Sequence, residues 1–296
     1  MGLPRVAATP SKGSVSVGAP VVVVVEFVWR DEAPPSENFG NNSVVISAFP
    51  SAGLATIVAA HYIIRALKLP RIGRFESPDL SPIAVVQGGE VSPMVRAYGR
   101  PDLALILSEF PPTTQQANAL ARTVLDNAER HRARMIVCLE GVVPHPGGDE
   151  EEGEEEEGGS VAPVADQSPE QVWVAYSRKD PAVLKAFEPT RARVLEDGVI
   201  GGVSGGLLVQ GLGRSVPVAV LLVSARVAGG LPDHRAGAAL IETLDRLLPE
   251  LRIDTGPLRA QAEQIEKALR AALKTRPTQS MGPTDAPPSP SPEMYG

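Results

Sequence analysis

This chain of 296 residues has a single cysteine, few aromatic residues, no long uninterrupted apolar run and no basic cluster. Each scarcity excludes something. One thiol, Cys138, cannot form an internal disulfide, which fits a reducing compartment and makes the cytoplasm the expected location. Aromatics at 4% leave a core built mainly from Val, Leu, Ile and Ala. The longest apolar stretch near the start, Ala19 to Val25, is cut by Glu26 and is too short to cross a bilayer. It follows Pro4, Pro10 and Gly13 rather than a basic segment, so neither a signal peptide nor a membrane partner is expected. The net charge of −7 misleads. Asp149 to Glu157 holds eight acidic residues, and setting them aside leaves the rest of the chain at +1. A near-neutral body without a basic patch is not expected to bind nucleic acid.

What is present alternates between strand-like and helix-like segments. Val21 to Trp29, Val44 to Phe49, Leu103 to Leu107, Met135 to Leu139, Val172 to Tyr176 and Val218 to Val223 read as buried strands. Ile83 to Gln87 and Met94 to Tyr98 read as short strands around a Gly88-Gly89 turn, and Ala192 to Leu195 as another short piece. A helix is expected after the turn Pro50 to Gly53, running to about Lys68; its apolar residues lie on most sides, which predicts deep burial. A second, capped by Thr113 or Thr114, places Ala117, Leu120, Ala121, Val124, Leu125 and Ala128 on one face. Shorter helices are expected near 180–187 and after the glycine-rich stretch 198–206, and longer ones over 233–248 and from Pro257. This β-α-β order predicts an α/β fold, a mostly parallel or mixed sheet flanked by helices.

The acidic stretch 149–159 contains nothing to bury and is expected to be a disordered loop. Residues 1–18, rich in Pro, Ser and Gly, read as an irregular segment, and 19–274 as a single domain. From Thr275 the composition changes: residues 276–293 hold six prolines and one large apolar side chain, Met281, which predicts a disordered, extended tail. That tail ends in Met294, Tyr295 and Gly296, restoring an apolar residue and a ring at its last positions.

Chemistry-bearing patterns are sparse. Gly202-Val203-Ser204-Gly205-Gly206 matches the G-x-S-x-G nucleophile elbow, which needs a strand before it, a helix after it, and acid and His partners. The only later histidine is His234, and the adjacent Asp233 diverges from it by about 100° on a helix. The bland reading, a tight turn packing a helix on the sheet, outweighs the hydrolase. No Walker or dinucleotide glycine pattern occurs. His61, His131 and His145 show no metal-ligand spacing, so no metal and no cofactor are expected. Cys138, inside an apolar run, reads as an inert buried thiol. His145 follows a strand ending in Glu140-Gly141, the place where α/β sheets put ligands, although a plain loop crossover is favoured.

Several segments, taken in order, carry a family resemblance over roughly residues 40–270: Ala48 to Ala55, Glu76 to Pro82, Asp102 to Leu107, the helix after Pro111-Pro112, Met135 to Gly141, Gly198 to Leu208, Val220 to Val223, and Pro232 to Ala236. Together they resemble the proteasome assembly chaperone 2 family, with Ala48 standing where the family has its first glycine and the acidic loop departing from its pattern. The resemblance implies a core like that of purine nucleoside phosphorylases without their catalysis. It also implies a non-enzymatic chaperone role in assembling the α-ring of the 20S proteasome. Archaeal members are similar in carrying a C-terminal hydrophobic-Tyr-any motif, which Met294, Tyr295 and Gly296 match. The implied partners are proteasome α subunits, with a homo-oligomer expected and room for a second chaperone. An ATP-independent 20S activator using the same tail stays open, as does an enzyme, either a serine hydrolase or a phosphorylase-like activity, around Ser204.

Overall fold

The computed structural model describes residues 25–34, 38–143, 170–227 and 230–274. In chain order the elements are β1 (Val28–Asp31), β2 (Val44–Ala48), α1 (Ala55–Ala66), β3 (Arg71–Glu76), β4 (Val85–Gln87), β5 (Glu90–Ser92), β6 (Arg96–Arg100), β7 (Leu103–Leu107), α2 (Thr114–Arg130), β8 (Met135–Val142), β9 (Val172–Tyr176), α3 (Pro181–Phe187), β10 (Arg193–Val194), α4 (Gly202–Gln210), β11 (Val218–Ser224), α5 (His234–Leu247) and α6 (Gly256–Lys274). Nine strands form one sheet in the order β1-β3-β6-β7-β2-β8-β11-β9-β10, while β4 and β5 pair in a separate hairpin. β7, β2, β8 and β11 run parallel at its centre. β6, β3 and β1 extend it antiparallel on one side, and β9 lies antiparallel against β11 on the other. The expected mixed α/β sheet flanked by helices is the observed architecture.

The central strands are apolar on both faces because helices cover both. Every residue of β2 and β7 is buried. Ile46, Leu105, Val137 and Leu221 point toward α1 and α5. Val45, Ala104, Ile136 and Val220 belong to the opposite layer with Leu120 of α2 and Leu207 of α4. Local chemistry sets the helix starts. Thr113 and Gln116 form a reciprocal capping box at α2, Asp180 caps α3 before Pro181, and Asp233 caps α5.

Some expectations are corrected. The first strand begins at Val28, with 25–27 irregular and 21–24 outside the described residues; it is an edge strand with Val28 exposed. The Gly88-Gly89 turn joins β4 to β5, whereas Arg96–Arg100 joins the main sheet, because its partners are β3 and β7. β3 was not anticipated: Arg71, Arg74 and Glu76 break its apolar pattern. Those charges pair with each other and with Glu32 and Arg30 on the solvent side, while Ile72 and Phe75 are buried. α1 is less deeply buried than its composition implied. Its alanines 55, 59 and 60 face inward against α5 and the sheet, whereas Ile57, Val58 and Ile64 are half-buried and Leu54, just before it, is exposed. Small side chains let two helix backbones approach, and Ile63 is the bulky side chain of α1 that is fully buried with them.

Candidate functional site

Two regions gather polar side chains over the sheet. The first lies at the C-terminal ends of the parallel strands. The chain leaves β2 through α1 toward β3, and leaves β8 toward β9 on the opposite side. The crevice between β2 and β8 is therefore a topological switch point, where open α/β sheets place ligands. The Ser51 hydroxyl accepts the Gly141 N–H there at 2.8 Å. A Cβ on Gly141 would lie 2.2 Å from the Ala52 carbonyl oxygen, so this approach requires glycine. The stretch before α4 bends over the crevice, with Gly202 at φ 61, a left-handed conformation that favours glycine. Gly205 in turn sits against the Ile200 carbonyl, 2.2 Å from where its Cβ would stand.

This folding brings Ser204 under the loop. Its side chain is almost fully buried, and its hydroxyl donates to Oε1 of Glu140 at 2.5 Å. Burial raises the Glu140 carboxyl to about 7, with the Ser204 hydrogen bond pulling weakly the other way. Two residues earlier on β8, burial also pushes the Cys138 thiol well above its ordinary range, which disfavours the reactive thiolate. Glu140 lines a cavity of about 240 Å³ walled by Phe49, Pro111, Val142, Ile200 and Leu222.

The elbow reading of Ser204 is not matched by this geometry. Ser204 sits inside the first turn of α4, not on a strand-to-helix turn, and no strand immediately precedes Gly202. Asp233 is engaged in accepting the N–H groups of Arg226, Arg235 and Ala236. His234 contacts the Pro232 carbonyl and lines a different groove. Ser204 thus has no imidazole partner among the described residues. The described lining of its cavity also offers no cation for phosphate, and no metal-holding group of side chains occurs among the described residues.

The second region is a groove of about 570 Å³ over α1, lined by Ile57, His61, Ile64, Tyr98, His234 and Leu258 among others. Next to its Tyr98, Arg96, with no exposed side-chain surface, holds Glu109 in a bidentate pair at 2.8 and 2.6 Å. His61 Nε2 approaches the same carboxylate at 3.0 Å, and the Tyr98 hydroxyl donates to Gln87 at 3.3 Å. Burial alone would raise Glu109, but its hydrogen bonds with His61 and Arg96 outweigh it and hold the carboxyl at about 2. Neither carboxylate network was read from the sequence: Ser204 and Glu140 are 64 residues apart, and the elbow pattern drew attention to a histidine rather than a glutamate.

Met294, Tyr295 and Gly296 lie outside the described residues, as do His145, the segments 1–18 and 149–159, and the tail from 275. Comparison with known proteins places the described body. An uncharacterized protein of Methanocaldococcus jannaschii, MJ0106, is 27% identical over 229 residues, covering 77% of this chain and 84% of that one. PbaA of Pyrococcus furiosus, described as an archaeal homolog of proteasome-assembly chaperone, superposes with a TM-score of 0.67 at 22% identity, over 84% of this chain and 92% of its own. PbaB of the same organism, described as an archaeal proteasome activator, gives 0.63 at 22% identity, over 84% and 99%. At these identities the likeness to solved structures is one of fold. A family model described as PAC2 family matches residues 45–273, from β2 to the end of α6, and on that match the chain belongs to the PAC2 family.

Proposed function

We propose that this chain is a non-enzymatic, proteasome-binding assembly chaperone or adaptor, which docks Met294, Tyr295 and Gly296 between α subunits of a 20S particle. The observation that carries this reading is family membership, together with a fold shared with proteins described as a chaperone homolog and an activator of the proteasome. On it, residues 19–274 act as one domain in the cytoplasm, and 275–296 as a tether. The 22 residues from Thr275 reach roughly 65 Å if extended as polyproline. The terminal carboxylate pairs with a lysine, the Tyr295 ring packs while its hydroxyl finds a hydrogen bond, and Met294 fills an apolar pocket. Each side chain contributes roughly 1.5–3 kcal/mol before ordering costs, so a single tail binds weakly and a homo-oligomer presenting several gains avidity.

Deleting Met294 to Gly296 is expected to abolish pull-down of 20S particles or free α subunits; undiminished capture would refute the docking mechanism. A gate-opening activator is the second reading, favoured by the likeness to PbaB. Stimulated peptide hydrolysis by mature 20S particles, without ATP, distinguishes it from an assembly role. A fluorophosphonate probe is expected to leave Ser204 unlabelled, because its hydroxyl is buried against Glu140.

A further inference from the structure

α1 carries two stripes rather than one. Ala55, Ala59, Ala60 and Ile63 belong to the core. A second row, Ile57, His61 and Arg65 at four-residue spacing with Ile64 beside it, lines the groove of about 570 Å³. Leu258 and Gln261 of α6 and Gln87 of the β4-β5 hairpin line it as well. That volume lies within the roughly 300–1,000 Å³ of small-molecule sites. The charges of the groove are of one sign. Among the described residues that line it, none is an Asp or a Glu. Arg65, exposed in the last turn of α1, has no partner for its guanidinium among the described residues, and neither has the ammonium of Lys68 three positions on. Glu109 touches His61, but its charge is already matched by the buried Arg96. The other polar groups are neutral amides and rings: Gln87 accepts from the Tyr98 hydroxyl, which leaves its amide N–H groups to donate, and His234 donates through Nδ1 to the Pro232 carbonyl.

An ammonium compound would meet like charge there, and a purely apolar one would strip water from Arg65 without replacing its hydrogen bonds. A phosphorylated sugar, polar throughout, would leave the apolar row uncovered. We propose that this groove is a site for a small lipophilic carboxylate, whose chain lies along Ile57 and Ile64 against Leu258 while its carboxylate pairs with the guanidinium of Arg65. A guanidinium suits that head group, because its planar fork offers two parallel donors. The site is built by α1, α6 and the hairpin, so it does not rest on the docking role proposed for Met294, Tyr295 and Gly296.

The test is isothermal titration of the full chain at pH 7 with octanoate, octan-1-ol and octylammonium. Octanoate is expected to bind saturably and about fivefold more tightly than octan-1-ol, as one exposed ion pair allows, and octylammonium more weakly than the alcohol. Arg65→Gln removes the charge of an exposed side chain that holds no other group, so the fold is retained, and it is expected to bring octanoate down to the affinity of the alcohol. Ile57→Glu, at a half-buried position, keeps Arg65 and sets a carboxylate in the groove; it is expected to reverse the order, with octylammonium ahead of octanoate. The chain without Met294 to Gly296 is expected to bind octanoate as the full chain does. No saturable octanoate binding, equal affinity for the alcohol, a preference of the parent for octylammonium, or an octanoate affinity unaltered in Arg65→Gln would each overturn the proposal. So would a marked gain on removing the last three residues, which would assign the groove to the chain's own tail.

Discussion

Glu109 lies just past the C-terminal end of β7 and Glu140 near the C-terminal end of β8, the strands that flank β2 on either side; both are partly buried, and they are handled in opposite ways. Glu109 meets a buried guanidinium and an imidazole, and stays charged far below neutrality. Glu140 meets one hydroxyl and an apolar wall, and titrates near neutrality. A carboxylate that is fully matched acts as a clamp: it ties β6 and the end of β7 to α1. One held by a single hydroxyl beside a cavity stays free to titrate. Burial is common to both, so the count and charge of the partners decide the outcome.

The sharpest way to break this comparison is to strip the clamp. Arg96→Met leaves Glu109 without its buried partner and is expected to cost about 3–5 kcal/mol in urea unfolding. Replacing both residues, as Arg96→Met with Glu109→Leu, is expected to recover most of that loss, because no charge is left stranded. The equivalent test at the other site runs through pH. Glu140 has a folded-state value above its unfolded one, so its contribution is full below about pH 4.5 and is lost as pH rises through about 7. Glu140→Gln is therefore expected to gain about 1–3 kcal/mol relative to the parent between pH 4.5 and 9. Glu109 has the opposite sign: its stabilisation is present above about pH 4.5 and is lost as pH falls toward about 2, a component of acid unfolding that Glu109→Gln should lack.

Smaller effects sharpen the geometry. Gly205→Ala drives a methyl into the Ile200 carbonyl and is expected to cost about 1–3 kcal/mol while displacing the loop over the cavity, seen as amide shifts over 198–203. Ser204→Ala removes the single hydrogen bond of Glu140. It is expected to cost about 1 kcal/mol above pH 7 and to raise the Glu140 carboxyl further, because that bond favours the charged form.

The same contrast explains what the sequence made legible. β2, β7, β8 and β11 were readable because strands covered on both faces are continuous runs of Val, Ile, Leu and Ala. α2 was readable from its stripe and its Thr113 cap. β3 was not, because Arg71, Arg74 and Glu76 belong to the solvent side near a sheet edge, and only long-range pairing makes that segment a strand. Glu140 and Arg96 looked like ordinary charges in ordinary strands, since their partners come from Ser204 and Glu109 on other elements. The glycines around Ser204 did mark the right loop, but the chemistry they frame is a carboxyl and a hydroxyl rather than a triad.

A ¹³C titration of the glutamate side-chain carboxyls, assigned through Glu140→Gln and Glu109→Gln, tests the contrast most directly. The account requires Glu140 to turn over at about 7 while Glu109 holds a charged-form shift down to about 2. Two carboxyls titrating together near the ordinary value of about 4.5 would contradict it.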